Sequence, residues 1–425
     1  MKRTPLKLDP RASSGLGSFL LLLGWATCFC GGFFGHGAVL TFGLIWSFVC
    51  IAVYVAVRLA ARQLAVTRIV RATAFEDEAV TVELLLENRS RLPVFFPRIT
   101  EIFVPEAHEQ KELVLTDRLM PGETVRGHYR GYCILPRGVY SYGPTMLRIS
   151  DPFGWFEVRR LIDNEQEIRV YPAISDVQPA DDLGDVLTQL CSERVRIEAG
   201  SLDETIGVRE YRPGDSPRWI HWGLTAQHNR PVVREFARPL LEDLHIFVDI
   251  GRESLVGTGR SSSIDTALRI SASVAASALR QGRRVAFTAG CDEGNHVPAA
   301  AGDTQLHAIL ETMVMLRARE ELPYGECMEN YDADIAAGAT VLLFVSPYLY
   351  GDPDLALRIR RLAVRGARVQ VVVFEESSFC AVWQGVRSAT TLDIALAQLR
   401  RSGARCYLAR CGVDVRHVLA VPETA

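Results

Sequence analysis

The sequence predicts a multi-domain protein in which an N-terminal transmembrane helical hairpin precedes a small β-sandwich and a doubly wound α/β domain. Three observations predict this. Residues 12–57 contain no Asp, Glu, Lys or Arg, residues 65–173 alternate apolar and polar positions between frequent turns, and apolar strands alternate with helices from Leu244 onward. These patterns are typical of membrane spans, antiparallel β-structure and a helix-covered parallel sheet. The predicted boundaries are 1–64, 65–173, 174–243 and 244–425.

The charge-free stretch is long enough for two spans of about 20 residues. Glycines at 31, 32, 35 and 37 divide it, so we predict helices over about 16–34 and 38–57. They must be helical, because hydrocarbon offers no partner to open backbone groups. A cleaved signal peptide is the alternative, but the second span follows at once and no small-residue cleavage site is evident.

Basic residues flank the hairpin on both sides and are absent from its turn. They are Lys2, Arg3, Lys7 and Arg11 before it, and Arg58, Arg62, Arg68 and Arg71 after it. Positive charges stay in the cytoplasm, so we expect an integral inner-membrane protein with both termini and the soluble domains cytoplasmic. The ten cysteines form no CxxC pair and are expected to be free thiols in a reducing compartment.

The two soluble domains follow from their hydrophobic periods. Alternate apolar residues at 80, 82, 84 and 86 predict a strand with one buried face, and turns such as Pro121-Gly122 recur. Beyond them we predict strands at 244–249, 284–288, 340–346, 369–374 and 405–409, and helices at 263–280, 355–365 and 391–401 with a helical stripe at 306–316. Continuous apolar strands alternating with helices indicate a parallel sheet covered on both sides.

The segment from Gly207 to Pro239 is dense in arginine, carboxylate and indole groups around a Pro213-Gly214 turn. Arg pairs bidentately with carboxylates, so the segment either forms an internal ion-pair network or presents a docking face for a partner. Its candidate binding residues are Arg209, Glu210, Tyr211, Gly214, Asp215, Arg218, Trp222, Arg234 and Glu235.

This segment resembles the signature of the family named domain of unknown function 58 (DUF58). The matching residues also include Pro213, Ile220, Ala226 and Val233, and the motifs at 137–144, 151–156 and 170–172 resemble the family too. Gly223 and Gln227 depart from it, since the family usually has Lys and Arg there. The resemblance implies a von Willebrand factor A-like domain after the segment and an association with MoxR-type AAA+ ATPases.

That implied domain carries a candidate metal loop at the end of its first strand. The metal-binding version has an acid and two hydroxyl residues in the spacing D-x-S-x-S, whereas this chain has Asp249, Gly251 and Glu253 there. Ser346 and Asp352 follow a later strand but lie off the motif spacing. An acid without hydroxyl partners is a poor site for a hard cation, so we expect no cofactor, with Mg or Ca disfavoured.

We therefore expect a non-enzymatic scaffold or adaptor at the cytoplasmic membrane face, with an AAA+ ATPase-type protein partner. One alternative is a membrane-bound hydrolase that uses Glu210, Asp215 or His221, and another is a divalent-metal-dependent binding module. The sequence has no phosphate-binding loop or nucleophile elbow. The net charge of −3 gives no basic excess for nucleic acid.

Overall fold

The computed structural model describes residues 15–175, 205–211, 220–228, 230–236, 243–318, 324–346, 349, 353–379 and 389–413. The chain divides into two compact units, residues 1–171 and residues 172–425.

The first unit begins with two helices, α1 (Gly15–Phe33) and α2 (Gly37–Arg62). Both are long and apolar enough to cross a membrane, and Phe29, Phe33 and Phe48 are each more than two-thirds exposed. The predicted hairpin is therefore present. The predicted end of the second helix, near 57, is wrong: the helix runs on to Arg62 because Ala60 and Ala61 are buried in the core of the β-region that follows.

Glycines set the contact between α1 and α2. A Cβ atom added at Gly31 would fall 2.4 Å from the backbone nitrogen of Leu40, and one added at Gly43 would fall 2.7 Å from that of Cys28. A Cβ at the neighbouring Gly32 would meet nothing within 4 Å. Small residues let helix backbones approach closely, and Gly31 and Gly43 supply them on the facing sides of the two helices.

Short strands make up the rest of the first unit. Strands β1 to β11 are Leu64–Ile69, Thr73–Phe75, Ala79–Asn88, Val94–Phe103, Glu109–Val114, Arg118–Leu119, Thr124–Tyr132, Gly138–Tyr142, Thr145–Ser150, Glu157–Ile162 and Gln166–Tyr171. They form three sheets with the orders β1-β3-β7, β10-β9-β4-β5 and β2-β11-β8, and β6 pairs with β4. All three share one hydrophobic core, which buries the predicted face of β3 at 80, 82, 84 and 86.

A buried ion pair joins sheets inside this core. Arg68 on β1 contacts Glu101 on β4 at 2.5 Å, and both side chains are at most 1% exposed. The carboxylate also accepts hydrogen bonds from the hydroxyls of Tyr129 and Thr145, while Arg68 Nη1 donates to the carbonyl of Asn164 at 2.8 Å. Burial, followed by the nearby Glu101 carboxylate, raises the pKa of Tyr129. Most polar atoms of the pair thus have partners, as buried charges require.

The second unit holds the remaining elements. Strands β12 to β19 are Thr205–Glu210, Val232–Phe236, Leu244–Val248, Val285–Ala289, His296–Ala300, Thr340–Val345, Arg368–Phe374 and Arg405–Ala409. Helices α3 to α9 are Trp222–His228, Ser263–Arg280, Asp303–Met315, Tyr324–Glu329, Pro353–Val364, Glu376–Phe379 and Ala389–Arg401. Strands β12 and β13 pair with each other, and the other six form one sheet in the order β16-β15-β14-β17-β18-β19.

The prediction of a wholly parallel sheet is wrong at one edge. Strands β14, β15, β17, β18 and β19 are parallel, whereas β16 pairs with β15 in the antiparallel sense. Only residues 290–295 separate β15 from β16, and a parallel return needs a crossover of a dozen or more residues. A short connection therefore forces the reversal.

The expectation of free thiols is also wrong for Cys291 and the cysteine bonded to it. Cys291 is disulfide-bonded, whereas Cys28, Cys30, Cys50, Cys133, Cys406 and Cys411 are free. A disulfide requires two Cα atoms within about 7 Å, a condition that spacing along the chain does not reveal. Disulfides persist mainly in oxidising compartments, so this bond bears on which side of the membrane the second unit occupies.

Candidate functional site

The strand order of the large sheet reverses at the carboxyl ends of β14 and β17, which is where open α/β sheets have their ligand crevice. Strand β14 lies between β15 and β17, so the chain leaves it on one side and later returns on the other. Ligands of open α/β sheets bind at this point. Asp249 directly follows β14, and Ser346 directly follows β17. The structure brings the two together, with Ser346 Oγ donating to Asp249 Oδ2 at 3.2 Å.

Asp249 is held by its own loop as well. The backbone N–H of Gly251 donates to Oδ1 at 2.9 Å, and the Ser254 hydroxyl also hydrogen-bonds the carboxylate. Burial raises the pKa of Asp249, and these hydrogen bonds counteract part of the effect. The buried Tyr324 adds a further hydroxyl, which donates to the carbonyl of Phe247 at 3.0 Å. One carboxyl and three hydroxyl groups therefore lie together at the carboxyl ends of β14 and β17.

The oxygen donors partly match what a hard cation would need. Asp249, Ser254 and Ser346 supply oxygens, but Gly251 has no side chain, and the side chain of Glu253 lies outside the described residues. Asp352 lies outside them too. Within the described part of the chain, no three His, Cys, Asp or Glu side chains form a group that could hold a metal. Asp249 accepts hydrogen bonds from Gly251, Ser254 and Ser346.

Sequence reasoning found only part of this cluster. The sequence predicts Asp249 from its place after an apolar strand, whereas Ser346 lies off the motif spacing, although the sheet brings its Oγ within 3.2 Å of Asp249 Oδ2. Ser254 follows in the same loop, outside the D-x-S-x-S spacing. Tyr324 comes from the six-residue helix α6, which carries no periodic signal.

The arginine-rich segment contains a β-hairpin with a short helix between its strands. Strands β12 and β13 are antiparallel, with Arg209 opposite Val233 and Glu210 opposite Val232. The register also places Val208 opposite Arg234 and Gly207 opposite Glu235. The predicted residues Gly214, Asp215 and Arg218 lie outside the described residues, as do the side chains of Arg209, Glu210, Arg234 and Glu235.

Backbone and side-chain hydrogen bonds fix α3 against this hairpin. His221 N donates to the carbonyl of Val232 at 2.8 Å, and Val232 N donates to Thr225 Oγ1 at 3.1 Å. His221 Nδ1 accepts from the N–H of Leu224 at 3.2 Å, so this nitrogen satisfies one of the free donors at the start of α3. Tyr211 N donates to the carbonyl of Pro231 at 2.9 Å. His221 therefore has a structural role at the start of α3.

Trp222, the first residue of α3, is 68% exposed. A large indole is normally mostly buried, and exposed tryptophans recur at binding surfaces. The other exposed positions in the described part of the short helix are small or polar, namely Gly223, Ala226 and Gln227. Trp222 is therefore an exposed aromatic group on a segment whose backbone is held in place by hydrogen bonds.

Comparison with known proteins gives one informative match. Residues 207–378 match the family model described as "Protein of unknown function DUF58". This range contains most of the β12–β13 hairpin together with Trp222, Asp249 and Ser346. No curated protein sequence matches the chain.

Solved structures resemble this chain only weakly. AvmM, which catalyzes macrocyclization in alchivemycin A biosynthesis, gives a TM-score of 0.21 at 12% identity over 27% of this chain and 93% of its own. The DNA glycosylase AlkC of Pseudomonas fluorescens gives 0.18 at 10% identity over 36% and 42%, and the sporulation control protein Spo0M of Bacillus subtilis gives 0.17 at 14% identity over 35% and 58%. Similarity this low carries no argument about fold or function.

Proposed function

The chain belongs to the DUF58 family through residues 207–378, and from that membership we propose that it is a non-enzymatic, membrane-anchored scaffold or adaptor for a protein partner. Helices α1 and α2 support the anchor, because their outward side chains are large and apolar. Water would oppose such exposure, whereas lipid favours it.

The exposure of Trp222 is the observation that carries the proposed interaction. Tryptophan is among the residues that contribute most to protein–protein binding, particularly where the backbone is already ordered. The hydrogen bonds of His221, Thr225 and Tyr211 supply that order. We therefore assign the binding face to α3 and the hairpin strands β12 and β13.

An AAA+ ATPase of the MoxR type is the proposed partner class, on the strength of the family resemblance. A von Willebrand factor A-like assignment of the second unit is supported by its mainly parallel sheet and by Asp249 at the exit of β14. In this proposal the Asp249 cluster shapes the crevice without a metal. Its carboxylate already has three hydrogen-bond partners, which a cation would have to displace.

The basic residues around the hairpin support a cytoplasmic location for both termini and for the second unit. The disulfide of Cys291 is the observation that counts against this location. A direct measurement of topology therefore belongs with any test of the partner.

The binding experiment uses the full chain in lipid nanodiscs and the purified MoxR-type ATPase of the same organism, with affinity measured by biolayer interferometry. Trp222→Ala removes the exposed indole and should weaken binding by at least about 30-fold, which corresponds to about 2 kcal/mol. Gln227→Ala, on the same helix and also exposed, is the matched control and should change affinity by less than about twofold.

The outcomes separate the two parts of the proposal. Absence of binding by the unmodified chain would exclude this ATPase class as the partner. Binding that is equally strong in Trp222→Ala would instead show that the face lies elsewhere.

A further inference from the structure

The turn between β9 and β10 has an apolar, exposed tip. Pro152, Phe153 and Gly154 are exposed, and Phe153 reaches 67%. The Phe153 ring stacks on Trp155, with centroids 4.8 Å apart. Turns that face water normally carry polar groups, so this tip has the character of a surface that meets an apolar partner.

The tip lies along the N-terminal helices. The ring of Trp155 is 5.8 Å from that of Trp46 on α2, and the ring of Phe156 is 5.7 Å from that of Tyr54 on the same helix. A Cβ atom added at Gly17 of α1 would fall 2.5 Å from Phe156. The turn therefore contacts both helices.

The position of Trp46 sets the depth of the turn. At 1.5 Å per residue, Trp46 lies about 18 Å along α2 from Arg58, the first charged residue, and about 14 Å from Gly37 at the other end. The hydrocarbon layer of a bilayer is about 30 Å thick. If α2 crosses it, Trp46 lies well inside the layer, and so does the indole that touches it.

The hydrogen bonds of the turn backbone are suited to the hydrocarbon layer of a membrane. Asp151, which is fully buried, accepts hydrogen bonds from the N–H of Phe153 at 2.9 Å and of Phe156 at 2.6 Å. Its own carbonyl accepts from Gly154 N at 3.1 Å. Non-helical backbone needs internal partners of this kind inside a membrane.

An apolar groove of about 190 Å³ opens beside the turn, between α2 and the strands β4 and β9. Its lining includes Val53, Ala56, Leu92, Pro93, Ile149 and Pro152. Pro152 belongs both to the groove and to the turn, so the groove and the exposed tip adjoin each other.

We propose that the turn 151–156 is a membrane-inserted wedge, and that its partner is lipid: the acyl chains of the nearer leaflet surround Phe153 and enter the groove. The proposal rests on the membrane anchoring proposed above. It adds that the β-region itself penetrates the bilayer.

Tryptophan quenching by lipid tests this in the full chain, which has six tryptophans. The protein is reconstituted in phosphatidylcholine vesicles with and without bromine on the acyl chains, since bromine quenches only indoles that it contacts. Trp155→Phe should lower the quenched fraction of the emission, and Phe153→Trp should raise it. Trp222→Phe, in the second unit, is the control and should raise the fraction by removing an unquenched indole.

Two results together would overturn the wedge. In Trp155→Phe the quenched fraction of the emission would stay the same or rise, and in Phe153→Trp the added emission would be unquenched. If α1 and α2 do not insert in the membrane at all, the quenching result is different. In that case the unmodified chain shows no quenching at all, because Trp25 and Trp46 on the helices are then outside lipid as well.

Discussion

Removal of the Arg68 guanidinium is expected to destabilise the first unit strongly. In Arg68→Ala the carboxylate of Glu101, 1% exposed, would lose its cation and keep only the hydroxyls of Tyr129 and Thr145. Leaving one member of a buried pair uncompensated costs about 3–5 kcal/mol. For a domain of this size the loss corresponds to a fall of about 6–20 °C in Tm.

The assay is thermal unfolding of the full chain in detergent, with hydrogen exchange of β1 and β4 peptides to assign the transition to the first unit. Arg126→Ala is the matched control, because Arg126 pairs with Glu83 at 2.8 Å on the surface and is 71% exposed. That change should cost about 0.5 kcal/mol or less. Replacing both buried partners, as Arg68→Met with Glu101→Leu, should cost less than Arg68→Ala alone. An Arg68→Ala protein as stable as Arg126→Ala would refute the reasoning.

Three further predictions concern the Asp249 cluster, the helical hairpin of α1 and α2, and the membrane topology. Burial raises the pKa of Asp249, so the ionised carboxylate destabilises the folded protein above that pKa. Asp249→Asn removes the ionisation and should therefore raise the Tm at about pH 8. This gain in Tm should vanish by about pH 4. Equal gains at both pH values in thermal scans would contradict this. Gly31→Ala should lower the Tm relative to Gly32→Ala, by a clash worth about 1–3 kcal/mol, because only the Gly31 position has a neighbour within 4 Å. Identical melting of the two variants would mean that the helices can separate freely. In intact cells, His36→Cys in the helical turn should react with a membrane-impermeant maleimide, whereas Gln281→Cys at the end of α4 should react only after lysis. The reverse pattern would place the second unit outside the cytoplasm, as the Cys291 disulfide suggests.

Periodic elements could be predicted closely from the sequence. Helix α4 occupies the predicted residues 263–280, because its apolar stripe is regular and Ser262 caps it by accepting from the N–H of Asp265 at 3.1 Å. Strand β19 likewise matches the predicted 405–409. The edge strand β16 was missed, since its five residues include Pro298 and show no clear alternation.

Contacts between distant residues could not be predicted in this way. Ser346 meets Asp249 only because β17 pairs with β14 in a particular register, and Arg68 meets Glu101 only because two sheets share a core. Neither contact has a local signal in the sequence. The exposure of Trp222 was also unpredictable, because the sequence shows an indole but not how its surroundings fold.

Arg160 links the end of α2 to the β-region. Its Nη1 lies 2.7–3.0 Å from the carbonyls of Ala61, Arg62 and Leu64, where the last turn of α2 would otherwise have unsatisfied acceptors. With Ala60 and Ala61 also buried in the β-core, no flexible tether separates helix from strands. Helices tilt when the local bilayer is thinner than their apolar length. Because the β-region is attached rigidly to α2, such a tilt would rotate the whole β-region relative to the membrane. Membrane thickness would therefore set the orientation of this part of the protein.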